Sequence, residues 1–152
     1  MMEYEYSFKV KDLKPFFEYC KKNKYRKIKE VKQIRDLYTN NSGIEARVTI
    51  SKESIIIDFK EEDNTNNILK NTKESLPLNL NKKNIKNFYS ILDILGYYKM
   101  KHLIRTRTVY KKGKVKFEID KYTQPEKMNV VAIEGQKEEV DKVYKEIKEL
   151  IK

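Results

Sequence analysis

Two-residue alternation of apolar and polar side chains recurs along the chain and restricts its fold more than any other feature. In residues 3–10, aromatic and β-branched residues occupy the even positions and polar residues the odd ones. This period is typical of β-strands with one apolar and one polar face. The same pattern predicts further strands at 31–38, 44–50, 55–60, 103–109, 115–120 and 129–134. We therefore expect about seven or eight antiparallel strands.

Segments with helical spacing of apolar residues separate these strands. Helices are predicted at 12–23, with Asp12 as N-cap, at 81–95, with Asn81 as N-cap, and at 136–151. The polar, Asn-rich residues 61–80 are expected to form a mobile loop. A strand followed by a helix and more strands occurs twice, which indicates an α+β fold. The length of 152 residues suits a single domain covering residues 1–152.

Composition limits the possible functions. Lys and Arg number 34 against 23 Asp and Glu, giving a formal net charge of +11, which favours a polyanionic partner such as nucleic acid. A coding bias towards Lys and Asn explains the same charge without any partner. The single Cys20 excludes an internal disulfide, and the single His102 excludes a site that needs two histidines. Without an apolar run of membrane-spanning length or a secretory signal, we expect a soluble, cytoplasmic protein.

The polar faces of the predicted strands carry pairs of like charges two residues apart. The pairs are Glu3 with Glu5, Glu118 with Asp120, and Arg105 with Arg107. If the sheet closes into a barrel with these faces inward, carboxylates and cations line one cavity. Such a lining fits a divalent metal bound by the carboxylates and a polyphosphate bound by the cations. A half-exposed sheet with a charged outer face fits the alternation equally well.

Several short segments resemble, in the correct order, the strands of the CYTH superfamily, the triphosphate tunnel metalloenzymes. The opening Glu3-Tyr4-Glu5-Tyr6-Ser7-Phe8-Lys9-Val10 is similar to the family's Glu-x-Glu-x-Lys strand. The later segments are Asp36-Leu37-Tyr38, Ile44-Glu45-Ala46-Arg47-Val48, Ile56-Ile57-Asp58-Phe59-Lys60, Leu95-Gly96-Tyr97 with Ile104 to Tyr110, Phe117-Glu118-Ile119-Asp120 and Val131-Ala132-Ile133-Glu134-Gly135. The part from Leu95 to Gly135 is most similar to the class IV adenylyl cyclase branch.

The resemblance implies an eight-stranded antiparallel β-barrel, or tunnel, flanked by helices. It implies Mg²⁺ or Mn²⁺ bound by Glu3, Glu5, Glu118, Asp120 and Glu134. The phosphate ligands that it implies are Lys9, Arg35, Arg47, Lys60, Arg105 and Arg107. Among all of these, we expect Glu3, Glu5, Arg47, Lys60 and Arg107 to carry the catalysis.

Two residues depart from the family pattern. Ser7 stands where the family has the lysine of Glu-x-Glu-x-Lys, so a cation of the tunnel is missing. Ala132 stands where the closing strand has its first glutamate, so a carboxylate is missing. Either loss is expected to lower activity or to alter specificity. Together they leave a protein that binds its ligand without turnover among the alternatives.

The function expected from the resemblance is metal-dependent hydrolysis of a triphosphate, whether inorganic, nucleoside or thiamine triphosphate. The alternatives are an adenylyl cyclase that makes cyclic AMP from ATP, an RNA 5′-triphosphatase that acts on an RNA 5′ end, and a non-catalytic triphosphate-binding module. A basic RNA-binding protein of unrelated fold also remains possible. The partner is a triphosphate-bearing small molecule in the first case, and the protein is expected to be a monomer or homodimer.

Overall fold

A single antiparallel sheet forms the body of the protein. The computed structural model describes residues 2–62 and 68–151, without the side chains of Met2 and Glu3. Within these ranges the strands are β1 (Met2–Val10), β2 (Arg26–Thr39), β3 (Ile44–Ser51), β4 (Ser54–Glu61), β5 (Leu69–Lys73), β6 (Leu78–Leu80), β7 (Tyr98–Lys112), β8 (Val115–Gln124) and β9 (Met128–Gly135). The alternation-based strands are all confirmed, and β2 and β7 are several residues longer than predicted.

The same ranges contain three helices. Two lie between strands, α1 (Lys14–Lys22) and α2 (Ile85–Ile94), and α3 (Lys137–Ile147) follows β9 and is itself followed by a 3-10 turn at Lys148–Leu150. The helices confirm the predicted α+β class. Within the described ranges, none of them has both the length and the apolar composition needed to cross a bilayer.

Both predicted N-caps are wrong in detail. Asp12 accepts a hydrogen bond from the Lys14 amide (3.0 Å), but Leu13 occupies the N-cap position. Asn81 lies before α2 and accepts bonds from the amides of Lys83 and Asn84, so its side chain closes the turn that precedes the helix. Gly96 follows α2 as predicted, with a φ of +80° that glycine adopts without strain.

The strand order is β5-β1-β9-β8-β7-β2-β3-β4-β6, which makes an open nine-stranded sheet and not the predicted closed eight-stranded barrel. The two ends of the sheet nevertheless lie next to each other. An isolated bridge joins Lys60 of β4 to Glu74, just beyond β5, and the Ser75 amide donates a hydrogen bond to the Phe59 carbonyl (2.8 Å). The arrangement is compatible with the tunnel fold.

Residues 61–80 differ from the predicted mobile loop. Residues 63–67 lie outside the described ranges, but the described remainder contains β5 and β6, which occupy the two edges of the sheet. β5 pairs with β1, with Glu5 opposite Lys70. The sequence of β5 is mostly polar, so the strand depends on backbone pairing with β1 and not on an apolar face of its own.

The apolar faces of the strands pack outward against the helices. One cluster joins α1 and α3 to β1, β7, β8 and β9, and its fully buried members include Phe16, Phe117 and Ile133. A second, smaller cluster packs Phe88 and Leu92 of α2 on β3 and β4. Because side chains alternate along a strand, burying these faces turns the polar faces to the other side of the sheet.

Replacing Phe117 tests the larger cluster without touching the polar face. Its ring is fully buried and packs edge-on against Tyr25, with centroids 5.1 Å apart. Phe117→Ala should lower the free energy of unfolding by about 3–5 kcal/mol, measured by urea denaturation, because it removes apolar contact and leaves a cavity. Phe117→Leu keeps most of the volume and should cost clearly less. Equal denaturation midpoints for all three proteins would contradict this packing.

Candidate functional site

The polar faces of the strands surround a cavity of about 820 Å³. The predicted site residues that line it are Glu5, Arg35, Arg47, Lys60, Arg105, Arg107, Glu118, Asp120 and Glu134. Alternation alone did not distinguish a charged cavity from a charged outer face, and the structure shows the cavity.

Of the two remaining predicted site residues, one lies elsewhere and the other has a side chain that the structure does not describe. Lys9 is exposed and is not among the residues that line the cavity. Lys9 is opposite Val130 in the pairing of β1 with β9, and it lies on β1 two residues after Ser7, which does line the cavity. The side chain of Glu3 lies outside the described part of the structure, although its backbone pairs with Thr72.

Three carboxylates from three strands converge in this cavity. Oxygen atoms of Glu5 on β1, Glu118 on β8 and Glu134 on β9 all lie within 4.8 Å of one another. The sheet register causes this, because Glu5 is directly opposite Glu134. Such oxygen donors are the kind that Mg²⁺ and Mn²⁺ prefer, so the residues present fit a divalent cation.

The carboxylates of this cluster have unequal electrostatic surroundings. Burial raises the pKa of Glu5; Lys60, whose Nζ is 3.9 Å from its Oε2, opposes this, while the charge of Glu118 adds to it. Burial also acts to raise the pKa of Glu118, but Arg107 and Lys116 outweigh it and lower that pKa to about 2. Glu118 is therefore ionised at neutral pH.

Asp120 is bound to Arg107 and does not join the three clustered glutamates. The Arg107 guanidinium donates two hydrogen bonds of 2.8 Å to the Asp120 carboxylate and a third, of 2.9 Å, to Glu118. Burial disfavours the charge of Arg107, but Glu118 and Asp120 outweigh it and raise the pKa of the guanidinium. Two of the predicted metal ligands thus neutralise one predicted phosphate ligand.

Arg47 is neutralised in the same way. Its Nε and Nη2 donate to the two oxygens of Asp58, at 2.8 and 2.6 Å, and Nη2 also donates to Glu74. The Arg47 side chain is 9% exposed, so the three residues form a largely buried network. Removing either carboxylate would leave a buried charge partly unpaired, which is costly.

Arg105 is held by neutral partners. Its Nε donates to Gln33 (2.9 Å) and its Nη1 to the Tyr122 hydroxyl (3.0 Å), while the nearest Asp120 oxygen is 3.8 Å away. Its Nη2 is buried and has no hydrogen-bond partner among the described residues. Burial, and then the nearby charge of Arg107, lower the pKa of this guanidinium. An unsatisfied buried donor of this kind is rare in native proteins.

Arg35 also has a neutral hydrogen-bond partner. Its Nε donates to the Thr49 hydroxyl (3.0 Å), and no described residue forms an ion pair with it at 4.0 Å or less. Burial lowers the pKa of Arg35, and the charges of Arg105, Arg107 and Arg47 lower it further. Arg35 therefore leaves unpaired positive charge in the cavity. Arg105 is only partly compensated, because its one carboxylate neighbour, Asp120 at 3.8 Å, is already bound to Arg107, and an anion would relieve both.

Ser7 and Ala132 are opposite each other in the pairing of β1 with β9, and both line the cavity. Ala132 also lies opposite Glu118 of β8. The two departures from the family pattern are therefore one feature. A facing lysine and glutamate would have formed a cross-strand ion pair beside the glutamate cluster, and this chain has a neutral gap there instead.

Sequence reasoning gave no role to several residues that complete the site. Asp58 binds Arg47. The sequence pattern could have identified it, because Asp58 lies on the same face of an alternating strand as Lys60. Gln33 shares the face of Arg35 on β2 in the same way. Glu74 carried no signal, because it lies in the segment predicted to be a loop.

Neither a family model nor a protein of curated function matches the sequence. Solved structures do. The PH1012 protein of Pyrococcus horikoshii has a TM-score of 0.73 at 17% identity, over 95% of this chain and 87% of the other. A candidate adenylyl cyclase from Hippeastrum, described as having a dominant triphosphatase activity, has a TM-score of 0.69 at 11% identity, over 97% and 87% of the two chains.

A candidate adenylate cyclase from Vibrio parahaemolyticus has a TM-score of 0.62 at 15% identity, covering 96% of this chain and 83% of the other. At these identities the likeness shows the fold alone. The protein thus shares its fold with these candidate adenylyl cyclases, and the resemblance drawn from the sequence is confirmed at the level of the fold.

Removing the charge of Arg35 should stabilise the protein when no polyanion is present. Arg35→Gln keeps a donor for Thr49 but removes a cation that three other arginines repel. We expect the thermal midpoint at low ionic strength to rise by about 2–4 °C, corresponding to about 1 kcal/mol in a chain of this size. Lys142→Gln, the same charge change on an exposed position of α3, should leave the midpoint unchanged. A lower midpoint for Arg35→Gln would show that the arginines are already compensated.

Proposed function

We propose that the protein is a divalent-metal-dependent hydrolase of a triphosphate substrate. The substrate class covers inorganic tripolyphosphate and nucleoside or thiamine triphosphates. The predicted closed tunnel belongs to the same proposal, since the bridge between Lys60 and Glu74 already brings the two ends of the sheet next to each other.

One observation carries the proposal. Arg35, which has no ion pair among the described residues, and Arg105, whose Nη2 is a buried donor without a hydrogen-bond partner, place incompletely compensated positive charge in the same cavity as three clustered carboxylates. Cations alone would suit any anion, and carboxylates alone would suit any cation. A triphosphate complexed with a divalent metal satisfies both groups at once, because its oxygens accept from the guanidinium groups while the metal occupies the carboxylates.

The carboxylates of Glu5, Glu118 and Glu134 would hold the metal. When bound, Mg²⁺ or Mn²⁺ neutralises charge on the phosphoryl oxygens and lowers the barrier to their displacement. Arg35 and Arg105 then bind and orient non-bridging phosphate oxygens, and Lys60 adds a cation on the opposite side, beside Glu5. The paired arginines, Arg47 and Arg107, fix the shape of the cavity through their carboxylate partners.

The reaction is displacement at phosphorus. The oxygen of a water molecule forms a bond to the terminal phosphorus, and the bridging P–O bond breaks, with its electron pair going to the diphosphate leaving group. The water proton passes to solvent. The protein contributes mainly positioning and electrostatic stabilisation, as is general for phosphoryl transfer.

Cyclisation of ATP is the second candidate, because neighbours in the fold are described as candidate adenylyl cyclases. It requires contacts to adenine and ribose as well as to the phosphates. Of the described residues, the aromatic ones that line the cavity are Tyr4 and Tyr122, and each has a cation over its ring, Lys137 and Arg105 respectively. A cation therefore already covers one face of each ring, and hydrolysis, which needs no contact to a base, is the better supported reaction.

Neutralising one clustered carboxylate tests the reaction. Glu134→Gln should lower the metal-dependent release of phosphate from tripolyphosphate by roughly two orders of magnitude or more, the scale of losing a group that stabilises transition-state charge. Mn²⁺ binding, followed by electron paramagnetic resonance, should weaken in parallel. The assay panel contains tripolyphosphate, ATP and thiamine triphosphate, with cyclic AMP measured alongside.

The matched control is Glu126→Gln, an exposed carboxylate in the β8–β9 turn. It should keep wild-type activity and Mn²⁺ affinity. Phosphate release that resists EDTA, or equal activity of Glu134→Gln and the wild type, would rule out the metal site. Saturable binding of tripolyphosphate with no turnover of any substrate would identify a binding module instead, and cyclic AMP formation would identify the cyclase.

Filling the neutral gap tests the two departures together. Ser7→Lys should tighten binding of tripolyphosphate about tenfold, because it adds a charge-assisted contact of about 1.5 kcal/mol. In the double variant Ser7→Lys/Ala132→Glu, the facing charges should pair across β1 and β9 and cancel much of this gain. Titration calorimetry on the wild type, both single variants and the double variant measures the coupling. Additive effects would mean that the two side chains do not face each other.

A further inference from the structure

A second cleft, of about 340 Å³, lies where α2 meets the ends of β2 and β7, and it shares no lining residue with the central cavity. Four of the residues that line it are tyrosines: Tyr38 near the end of β2, Tyr89 on α2, Tyr97 after α2 and Tyr98 at the start of β7. We call it the tyrosine cleft. Its volume is within the range of sites that hold a small molecule.

The tyrosine rings of the cleft are held in place and remain accessible. Tyr38 and Tyr89 are half-buried, with ring centroids 6.0 Å apart. The Tyr97 hydroxyl donates a hydrogen bond to the Ile44 carbonyl (3.1 Å), which fixes the ring between α2 and β3. Tyr98 is 51% exposed. The cleft is therefore largely preformed, with one ring at its solvent side.

These rings differ from other tyrosines in the part of the chain that the structure describes. A lysine or arginine of the protein lies over the rings of Tyr4, Tyr25 and Tyr122. No described lysine or arginine lies over a ring of the tyrosine cleft in this way. The face of an aromatic ring carries negative charge density and attracts cations. The cleft thus presents ring faces to a cation that comes from outside the protein.

A carboxylate in the same cleft has no counter-ion. Asp93 lines the cleft and is exposed, and no described residue forms an ion pair or a hydrogen bond with its side chain. It lies in the last turn of α2, where the unpaired end of the helix carries partial negative charge. The last turns of α1 and α3 contain lysines, whereas that of α2 contains no basic residue. The helix end and Asp93 therefore both make this cleft negative.

The lysine that also lines the cleft does not cancel this charge, because it has its own partner. The Lys99 Nζ lies 3.6 Å from one oxygen of Asp36, a buried carboxylate that is not among the lining residues. The other oxygen of Asp36 lies 2.6 Å from His102 Nδ1. Lys99 is thus engaged with the sheet, and the charge of Asp93 is left for a ligand.

We propose that the tyrosine cleft binds a small molecule that carries a quaternary ammonium group. The methyl groups of such a cation contact ring faces while its charge faces the carboxylate, which is the known use of aromatic cages. A primary ammonium is more strongly hydrated and loses more on entering an aromatic site. A planar base would use the rings but would leave Asp93 unpaired, and an anion would be repelled by it. The proposal does not depend on the proposed hydrolysis, since the two sites share no residue.

The test uses choline as the probe, with titration calorimetry on the full chain. Its matched ligand is the neutral alcohol in which carbon replaces the choline nitrogen, so that shape is kept and charge is removed. Adenosine and a short peptide containing trimethyllysine complete the panel. The variants are Asp93→Asn, Tyr98→Leu and Tyr98→Phe, all at exposed positions, and the control is Glu126→Gln in the β8–β9 turn.

We expect saturable binding of one choline per chain, at least about tenfold tighter than binding of the neutral alcohol. Asp93→Asn should weaken choline binding about fivefold, because a charge pair is lost. Its thermal midpoint without ligand should be no lower than that of the wild type, because the change removes a negative charge from the negative end of α2. A merely structural role of Asp93 predicts a lower midpoint.

The two Tyr98 variants separate the ring from its hydroxyl group. Tyr98→Leu should weaken choline binding by about two- to fivefold, because one ring face is lost. Tyr98→Phe keeps the ring and should stay within about twofold of the wild type. Glu126→Gln, which removes the same charge as Asp93→Asn, should match the wild type.

Several results would overturn the inference. Choline binding that does not saturate by about 10 mM would mean that the cleft holds no such ligand. Equal affinity for choline and the neutral alcohol would show an apolar cleft without preference for charge. Binding that Asp93→Asn and Tyr98→Leu leave unchanged would place the cation elsewhere. Tighter binding of adenosine would assign the cleft to a base, and tighter binding of the peptide would assign it to a modified partner protein.

Discussion

The cost of placing many charges of both signs on the inner face of one sheet is the constraint on which the rest of this structure depends. Charged groups leave water only if partners replace it, and the attraction between them offsets that loss only when the geometry is good. The apolar outer faces, packed on α1, α3 and α2, supply the stability that this interior does not. The two faces of each strand therefore have opposite roles: the apolar face stabilises the fold and the charged face lines the cavity. The two-residue period of the sequence encodes both faces.

Within the cavity the cations fall into two groups. Arg47 and Arg107 each have a bidentate carboxylate partner, so their charge is already used by the fold. Arg35 and Arg105 donate their hydrogen bonds to hydroxyl and amide groups, which fix the position of a guanidinium without neutralising it, and Arg105 has only a 3.8 Å contact with an Asp120 that already binds Arg107. A protein that needed only stability would pair all four. Positioned but uncompensated charge is the arrangement expected where a ligand brings the missing anion.

The sequence predicted the strands with clear alternation and the three helices, whereas the inward position of the charged residues was implied only by the family resemblance. It failed where the cause lies outside the segment itself. Leu69–Lys73 has no apolar period and becomes β5 only by pairing with β1. Residue type and spacing also could not separate a paired arginine from an uncompensated one, because the partners of Arg47 come from β4 and from the segment after β5. Asp58 could have been identified because it lies on the polar face of β4 together with Lys60, whereas Glu74 lies in a segment without a strand pattern.

The fold by itself does not decide between hydrolysis, cyclisation and binding, because one fold supports many functions. The residues that differ at the site are more informative. Relative to the family pattern, Ser7 and Ala132 replace a lysine and a glutamate at facing positions, so the net charge of the cavity is unchanged while one carboxylate beside the glutamate cluster is missing. Losing both charges together keeps the net charge that attracts the ligand and changes only the affinity of the site for it. The neutral gap is thus better explained as an adjustment of ligand binding than as the loss of a site.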